Sequence, residues 1–167
     1  FYQDDKRLAE IGCEPIPTRK QRRVNRLMNE SPEKLTDADI EGLNALYNAE
    51  TRYADEQIGR LVEGLRDRGL YDDTVVVITS DHGEALGEHN GFGHYSAHYE
   101  EIVRVPLVLH IPGISGEIVD RQVGLVDIAP TILDYLDKPI DTADEVPFSG
   151  ASIRSLVKDS SNSSTIN

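Results

Sequence analysis

A continuous β-branched run, Thr74-Val75-Val76-Val77-Ile78-Thr79, constrains the fold of this chain more than any other feature. Such a run, with no polar alternation, predicts a strand buried on both faces. Ahead of it, Ile40, Leu43, Tyr47, Ala54, Ile58, Leu61 and Leu65 recur at helical spacings on one face, which predicts a long amphipathic helix. Thr36 followed by Asp39 approximates a capping box, and Gly69 is a natural stop. A one-sided helix that feeds a buried strand predicts an α/β fold with a mainly parallel sheet. Val105-Pro106-Leu107-Val108-Leu109-His110-Ile111 reads as a second strand, its proline tolerated near the start and Pro112-Gly113 ending it. Asp127 is expected to cap a short helix from Ile128 to about Leu136, with Pro130 in the first turn, and 151–157 to form one more.

The remaining stretches divide the chain into an irregular lead-in over residues 1–35, a folded part over 36–157 and a polar, disordered tail over 158–167. The lead-in carries a basic stretch, Arg19-Lys20-Gln21-Arg22-Arg23. An anionic-lipid or nucleic-acid site is one reading of it, and a solvated helix or loop face is the other. The net charge of −13, from 30 acidic against 17 basic side chains, argues against nucleic acid as a partner. No apolar run is long enough to span a bilayer, so a soluble protein is expected, with the cytoplasm favoured. One cysteine, Cys13, excludes an internal disulfide and any zinc site built of several thiolates.

The chemistry is expected just past the first strand, because ligands of open α/β sheets bind beyond the carboxyl ends of strands. Asp81 and His82 stand there side by side, a carboxylate and an imidazole suited to two positions around a divalent metal. Four of the five histidines, His82, His89, His94 and His98, fall within 81–98 together with four glycines, which predicts a long, flexible, polar loop. Taken alone, that composition leaves open a surface loop in which Asp81 caps a helix and the histidines do nothing.

Ordered motifs add to this reading. Tyr71-Asp72-Asp73-Thr74 through Gly83-Glu84, Gly87-Glu88-His89, Tyr99-Glu100-Glu101-Ile102-Val103-Arg104-Val105-Pro106-Leu107, and Val126-Asp127-Ile128-Ala129-Pro130-Thr131-Ile132-Leu133 follow one another. Preceded by Asp55-Glu56-Gln57-Ile58-Gly59-Arg60-Leu61, the series resembles the later part of a sulfatase of the alkaline-phosphatase-like superfamily. The resemblance implies part of an α/β/α sandwich and a hydrolase that cleaves sulfate esters, small or glycan, with an activated nucleophile and one divalent cation. It carries the second metal-binding pair onto Asp81 and His82. Many sulfatases have Asn where His82 stands, and an Asp-His pair is also typical of phosphonate and phosphodiester hydrolases. Calcium is the first expectation for the metal, with manganese or zinc admitted by the imidazole. The family's basic residue before the Tyr-Glu-Glu motif falls on His94, five residues ahead of Tyr99 where the common lysine is four ahead; it would hold the anionic group or protonate the leaving oxygen. His98 competes for that role, and Arg104 is expected to be structural.

The family's nucleophile motif, Cys/Ser-x-Pro-x-Arg, is absent from this chain. Cys13-Glu14-Pro15-Ile16-Pro17 has proline where the arginine should be and is rejected, and Asp4-Asp5 makes a poor first metal pair. The expectation is therefore a fragment with half of a metal site, inactive alone and completed by a preceding part of the same domain. The alternatives are a phosphonate or phosphodiester hydrolase on the same scaffold, and a non-catalytic binding or assembly module.

Overall fold

The computed structural model describes residues 18–94, 98–138 and 148–157. Cys13, the Asp4-Asp5 pair and the tail from Lys158 lie outside the described residues. Helices α1 (Thr18–Glu30) and α2 (Asp37–Asp67) come first, followed by strands β1 (Val76–Thr79), β2 (Ala85–Leu86) and β3 (Phe92–Gly93). A short helix α3 (Glu100–Val103), strand β4 (Leu107–His110) and helix α4 (Ile128–Tyr135) complete the order. The chain divides into two compact units, one with residues up to Asp67 and His82–Val105, the other with Arg68–Asp81 and residues from Pro106 on.

In the first unit, α1 replaces part of the expected irregular lead-in. Val24 is buried, and Leu27 and Met28 continue its face at helical spacing, a stripe short enough to be hidden among basic residues. The stretch also has a tertiary partner: Arg23 Nη1 lies 2.8 Å from Asp39 Oδ2. Asp39 and Thr36 cap α2 reciprocally, the Asp39 amide donating to Thr36 Oγ1 at 3.2 Å and the Thr36 amide to Asp39 Oδ2 at 3.1 Å. That is the expected capping box with the shorter acid in place of glutamate. Helix α2 buries Leu43 and Ala49 and packs against β2, while Leu61 is 62% exposed, so its apolar stripe is only partly covered.

In the second unit β1 and β4 pair antiparallel, with Val76 opposite His110 and Thr79 opposite Leu107. The mainly parallel sheet expected from the sequence is not what the described strands form. β-branched composition favours a strand but carries no information on strand direction. Both strands are also shorter than expected, and β1 is half-buried with Thr79 exposed. Tyr71 and His110 stack at 3.9 Å, and His110 Nε2–H donates to the Tyr71 carbonyl at 3.1 Å.

Asp127 precedes α4 as expected, yet its side chain does not cap that helix. Its backbone is already helical after the 3₁₀ turn Leu125–Asp127, so the carboxylate reaches backwards. It accepts from the Gly124 amide at 2.8 Å and the Ala151 amide at 2.9 Å. Those two bonds hold its carboxyl below the usual carboxylate range. Thr131, fully buried, then accepts from the Ile153 amide at 3.1 Å. The segment expected as a helix over 151–157 is a single 3₁₀ turn, Arg154–Leu156, with Arg154 donating to the Asp134 carbonyl at 2.9 Å. No helix among the described residues is long and apolar enough to cross a membrane.

Candidate metal centre

Past β1 the chain runs through Ser80 to Asp81, which is exposed and ends its run of the second unit; His82 opens a run of the first. The backbone after His82 is clamped. Gly83 donates its amide to the Ile102 carbonyl at 2.7 Å, and a Cβ at Gly83 would overlap the Glu101 carbonyl oxygen. Only glycine fits so close an approach to another backbone.

Ala85 is wholly buried, and from there the segment expected as a flexible loop forms a β-hairpin. Ala85 pairs with Gly93 and Leu86 with Phe92, antiparallel. The turn between them is fixed by hydrogen bonds from Gly87 to the Gly91 carbonyl at 3.0 Å and from Gly91 to the Glu88 carbonyl at 2.8 Å. His89 and Asn90 occupy the left-handed region there, at φ of 51° and 56°. Asparagine tolerates that conformation. His89 is held in it by stacking on Tyr99 at 3.8 Å and by a 2.7 Å bond from Nδ1 to Glu101 Oε1. The Glu101 carboxyl is lowered in consequence, chiefly by its own backbone amide and then by His89.

One position outward from the Ala85–Gly93 pair, the same register sets Glu84 across from His94. Their side chains meet, His94 Nδ1 lying 3.1 Å from Glu84 Oε2. One ligand atom each from His82, Glu84 and His94 lies within 4.8 Å of the others. The rings of His82 and His94 stack at 4.4 Å with 29° between their planes. His82 Nδ1–H donates to the Gly83 carbonyl at 2.8 Å, so in the neutral ring Nε2 carries the lone pair. A backbone carbonyl holding one nitrogen while the other faces a metal is the usual arrangement around a ligating histidine.

Two imidazoles and one carboxylate are chemically able to hold a borderline divalent ion such as zinc or manganese. Calcium, which takes about six to eight oxygens, would need oxygen donors beyond these three side chains. Glu84 escaped the sequence reading. The available signal was the His82-x-Glu84 alternation at a strand exit, but its partner His94 becomes visible only once the hairpin register is known. His98, the competitor of His94, is exposed, and Arg104 pairs with Glu100 at 2.8 Å in an exposed contact. The second unit carries a separate groove of about 570 Å³ along β4, lined mainly by apolar side chains including Leu107, Leu109, Ile114 and Ile153.

Comparison with known proteins agrees with the ordered motifs. The family model described as Sulfatase matches residues 13–138. Arylsulfatase K of Bos taurus is 40% identical over 108 residues, covering 64% of this chain and 20% of its own length. Iduronate 2-sulfatase of Homo sapiens is 36% identical over 112 residues, covering 67% of this chain and 19% of its own length. Among solved structures, a phosphonate monoester hydrolase from Silicibacter pomeroyi superposes with a TM-score of 0.67 at 34% identity, over 77% of this chain and 25% of its own. A protein solved in complex with its substrate D-glucosamine-2-N,6-O-disulfate superposes with a TM-score of 0.58 at 27% identity, over 86% of this chain and 31% of its own. The chain thus spans about a fifth of the length of the curated relatives it matches.

Proposed function

The chain belongs to the sulfatase family, and on that premise we propose that it forms part of a divalent-metal-dependent hydrolase of sulfate esters. The family match across residues 13–138 carries this reading. In the longer protein the antiparallel β1–β4 pair would join further strands in a mainly parallel α/β/α sandwich. Asp81 and His82, consecutive at the strand exit, supply two ligands, with Asp81 through oxygen and His82 through Nε2. The bound ion contributes Lewis-acid stabilisation of charge on the sulfate oxygens. His94 presents its ring to the anionic group, donating a proton to a sulfate oxygen or to the departing alkoxide when the ring is charged. The nucleophile comes from a part of the protein that this chain does not contain, so the chain alone has no turnover.

A second reading, hydrolysis of phosphonate or phosphate diesters, is favoured by His82 in place of asparagine and by the likeness to a phosphonate monoester hydrolase. The test uses the longer protein with an aryl sulfate and a phenylphosphonate ester side by side. Preferential turnover of the sulfate, lost on Asp81→Ala, is the expected result. Preferential turnover of the phosphonate would transfer the assignment to the second reading, and sulfate hydrolysis that survives Asp81→Ala would remove the metal assignment.

A further inference from the structure

The hairpin gives Glu84 a task that the metal pair does not absorb. Glu84 is only 18% exposed at its side chain, whereas His94 is 64% exposed, so the carboxylate is the fixed member of the pair and the imidazole the reaching one. Three features fix it. Gly83 before it is clamped to the Ile102 carbonyl, Ala85 after it is wholly buried, and the pair Ala85–Gly93 stands directly beside Glu84 and His94 in the chain. A carboxylate only accepts, so the bond between Glu84 Oε2 and His94 Nδ1 requires the proton on Nδ1.

We propose that Glu84 is a positioning residue that holds the proton on Nδ1 of His94 and fixes its tautomer, so that Nε2 is the nitrogen that takes up a proton and donates it to the anionic group or the leaving oxygen of the substrate. The role of His94 rests on the sulfatase reading above; the control of its tautomer by Glu84 does not. His82 and His94 then carry parallel solutions to one problem. Each has Nδ1–H tied to an acceptor, the Gly83 carbonyl for His82 and the Glu84 carboxylate for His94, which leaves the lone pair of each neutral ring on Nε2. The rings stack at 4.4 Å; in the proposed site the Nε2 lone pair of His82 would serve the ion, and Nε2 of His94, once protonated, the ester oxygens. Without Glu84 the His94 ring loses the acceptor that holds Nδ1 and can reverse its tautomer.

Two measurements test this. In the ¹⁵N-labelled chain, long-range ¹H–¹⁵N correlation at a pH where the rings are neutral reads each tautomer, with His94→Gln identifying the signal. The Nδ1–H form is expected for wild type and for Glu84→Gln, whose amide oxygen still accepts, and loss of that preference is expected in Glu84→Ala. An unchanged tautomer ratio in Glu84→Ala would overturn the proposal. In the longer protein, Glu84→Ala is expected to lower kcat for the sulfate ester by about tenfold or more, with KM less affected and Glu84→Gln largely restored. Adding Glu84→Ala to His94→Ala should then cost nothing further. Multiplying effects would overturn the proposal, while a longer protein with no sulfate ester turnover would defeat the functional reading and leave the tautomer measurement to decide this one.

Discussion

Gly83 lies with its Cα against the carbonyl oxygen of Glu101, so close that no side chain fits between them. The contact is backbone to backbone and neither partner has a rotamer with which to yield. Gly83→Ala is therefore expected to destabilise the chain by about 1–3 kcal/mol, as overpacking does. Urea denaturation checks this. Glu101→Ala leaves the carbonyl in place and should cost distinctly less, because it removes only side-chain hydrogen bonds, to His89 and to its own amide; equal losses would refute the steric account.

Asp39 should confer sensitivity to acid. Its carboxyl is lowered from 3.8 to about 2, first by the Arg23 hydrogen bond and then by the Thr36 hydroxyl and amide. A depressed folded-state value means stability that is present above the unfolded value and lost as pH falls through the folded one. The loss is expected between roughly pH 4 and pH 2. Asp39→Asn should cost about 1–2 kcal/mol at pH 7 and flatten stability in that acid window, as measured by denaturation at pH 7 and pH 3. A variant as acid-sensitive as wild type would show that other carboxylates dominate.

Asp127 closes the loop after α4 rather than capping the helix. In Asp127→Ala the Gly124 and Ala151 amides lose their acceptor, and both should exchange with deuterium faster than in wild type while the Leu136 amide, bonded within the helix to Ile132, changes little. Because its carboxyl is also lowered, the same two amides should lose protection as wild type is acidified below the usual carboxylate range. Loosening confined to α4 would point instead to a conventional cap.

Metal preference should follow the donor at position 82. His82→Asn replaces a nitrogen donor by an oxygen donor, so the longer protein is expected to shift towards calcium and away from zinc or manganese by about tenfold in relative affinity. Competition between metals, followed by elemental analysis, reads the shift directly. An unaltered preference would mean that His82 does not touch the ion.

The sequence made helix α2 and its cap legible because helical spacing and a local Thr36–Asp39 exchange need only neighbours in the chain. It located β1 and β4 to within a few residues for the same reason, since β-branched composition is a local property. Strand direction was not legible: whether Val76 faces His110 or some other strand depends on the route between them. The hairpin at Ala85 escaped because its strands are two residues each and its glycines read equally well as a loop. With the hairpin hidden, Glu84 had no visible partner, and the family motifs drew attention to Asp81, His82 and His94 instead. A helix over the basic stretch was one of two readings left open, because the apolar stripe of Val24, Leu27 and Met28 is short, and the partner of Arg23 lies far along the chain.

The ladder from Ala85–Gly93 to Glu84–His94 makes the hairpin a ruler for locating His94. Counting back from Tyr99 leaves this histidine one place out of step with the common lysine. Counting across the hairpin from the Ala85–Gly93 pair places it beside Glu84. The relevant length is the turn Glu88–Asn90, and it has parity: one inserted residue would exchange the two faces of β3 and carry His94 to the far side, whereas two would restore it. Variation in this turn is therefore tolerable in steps of two, and a protein engineer lengthening it would have to respect an even count.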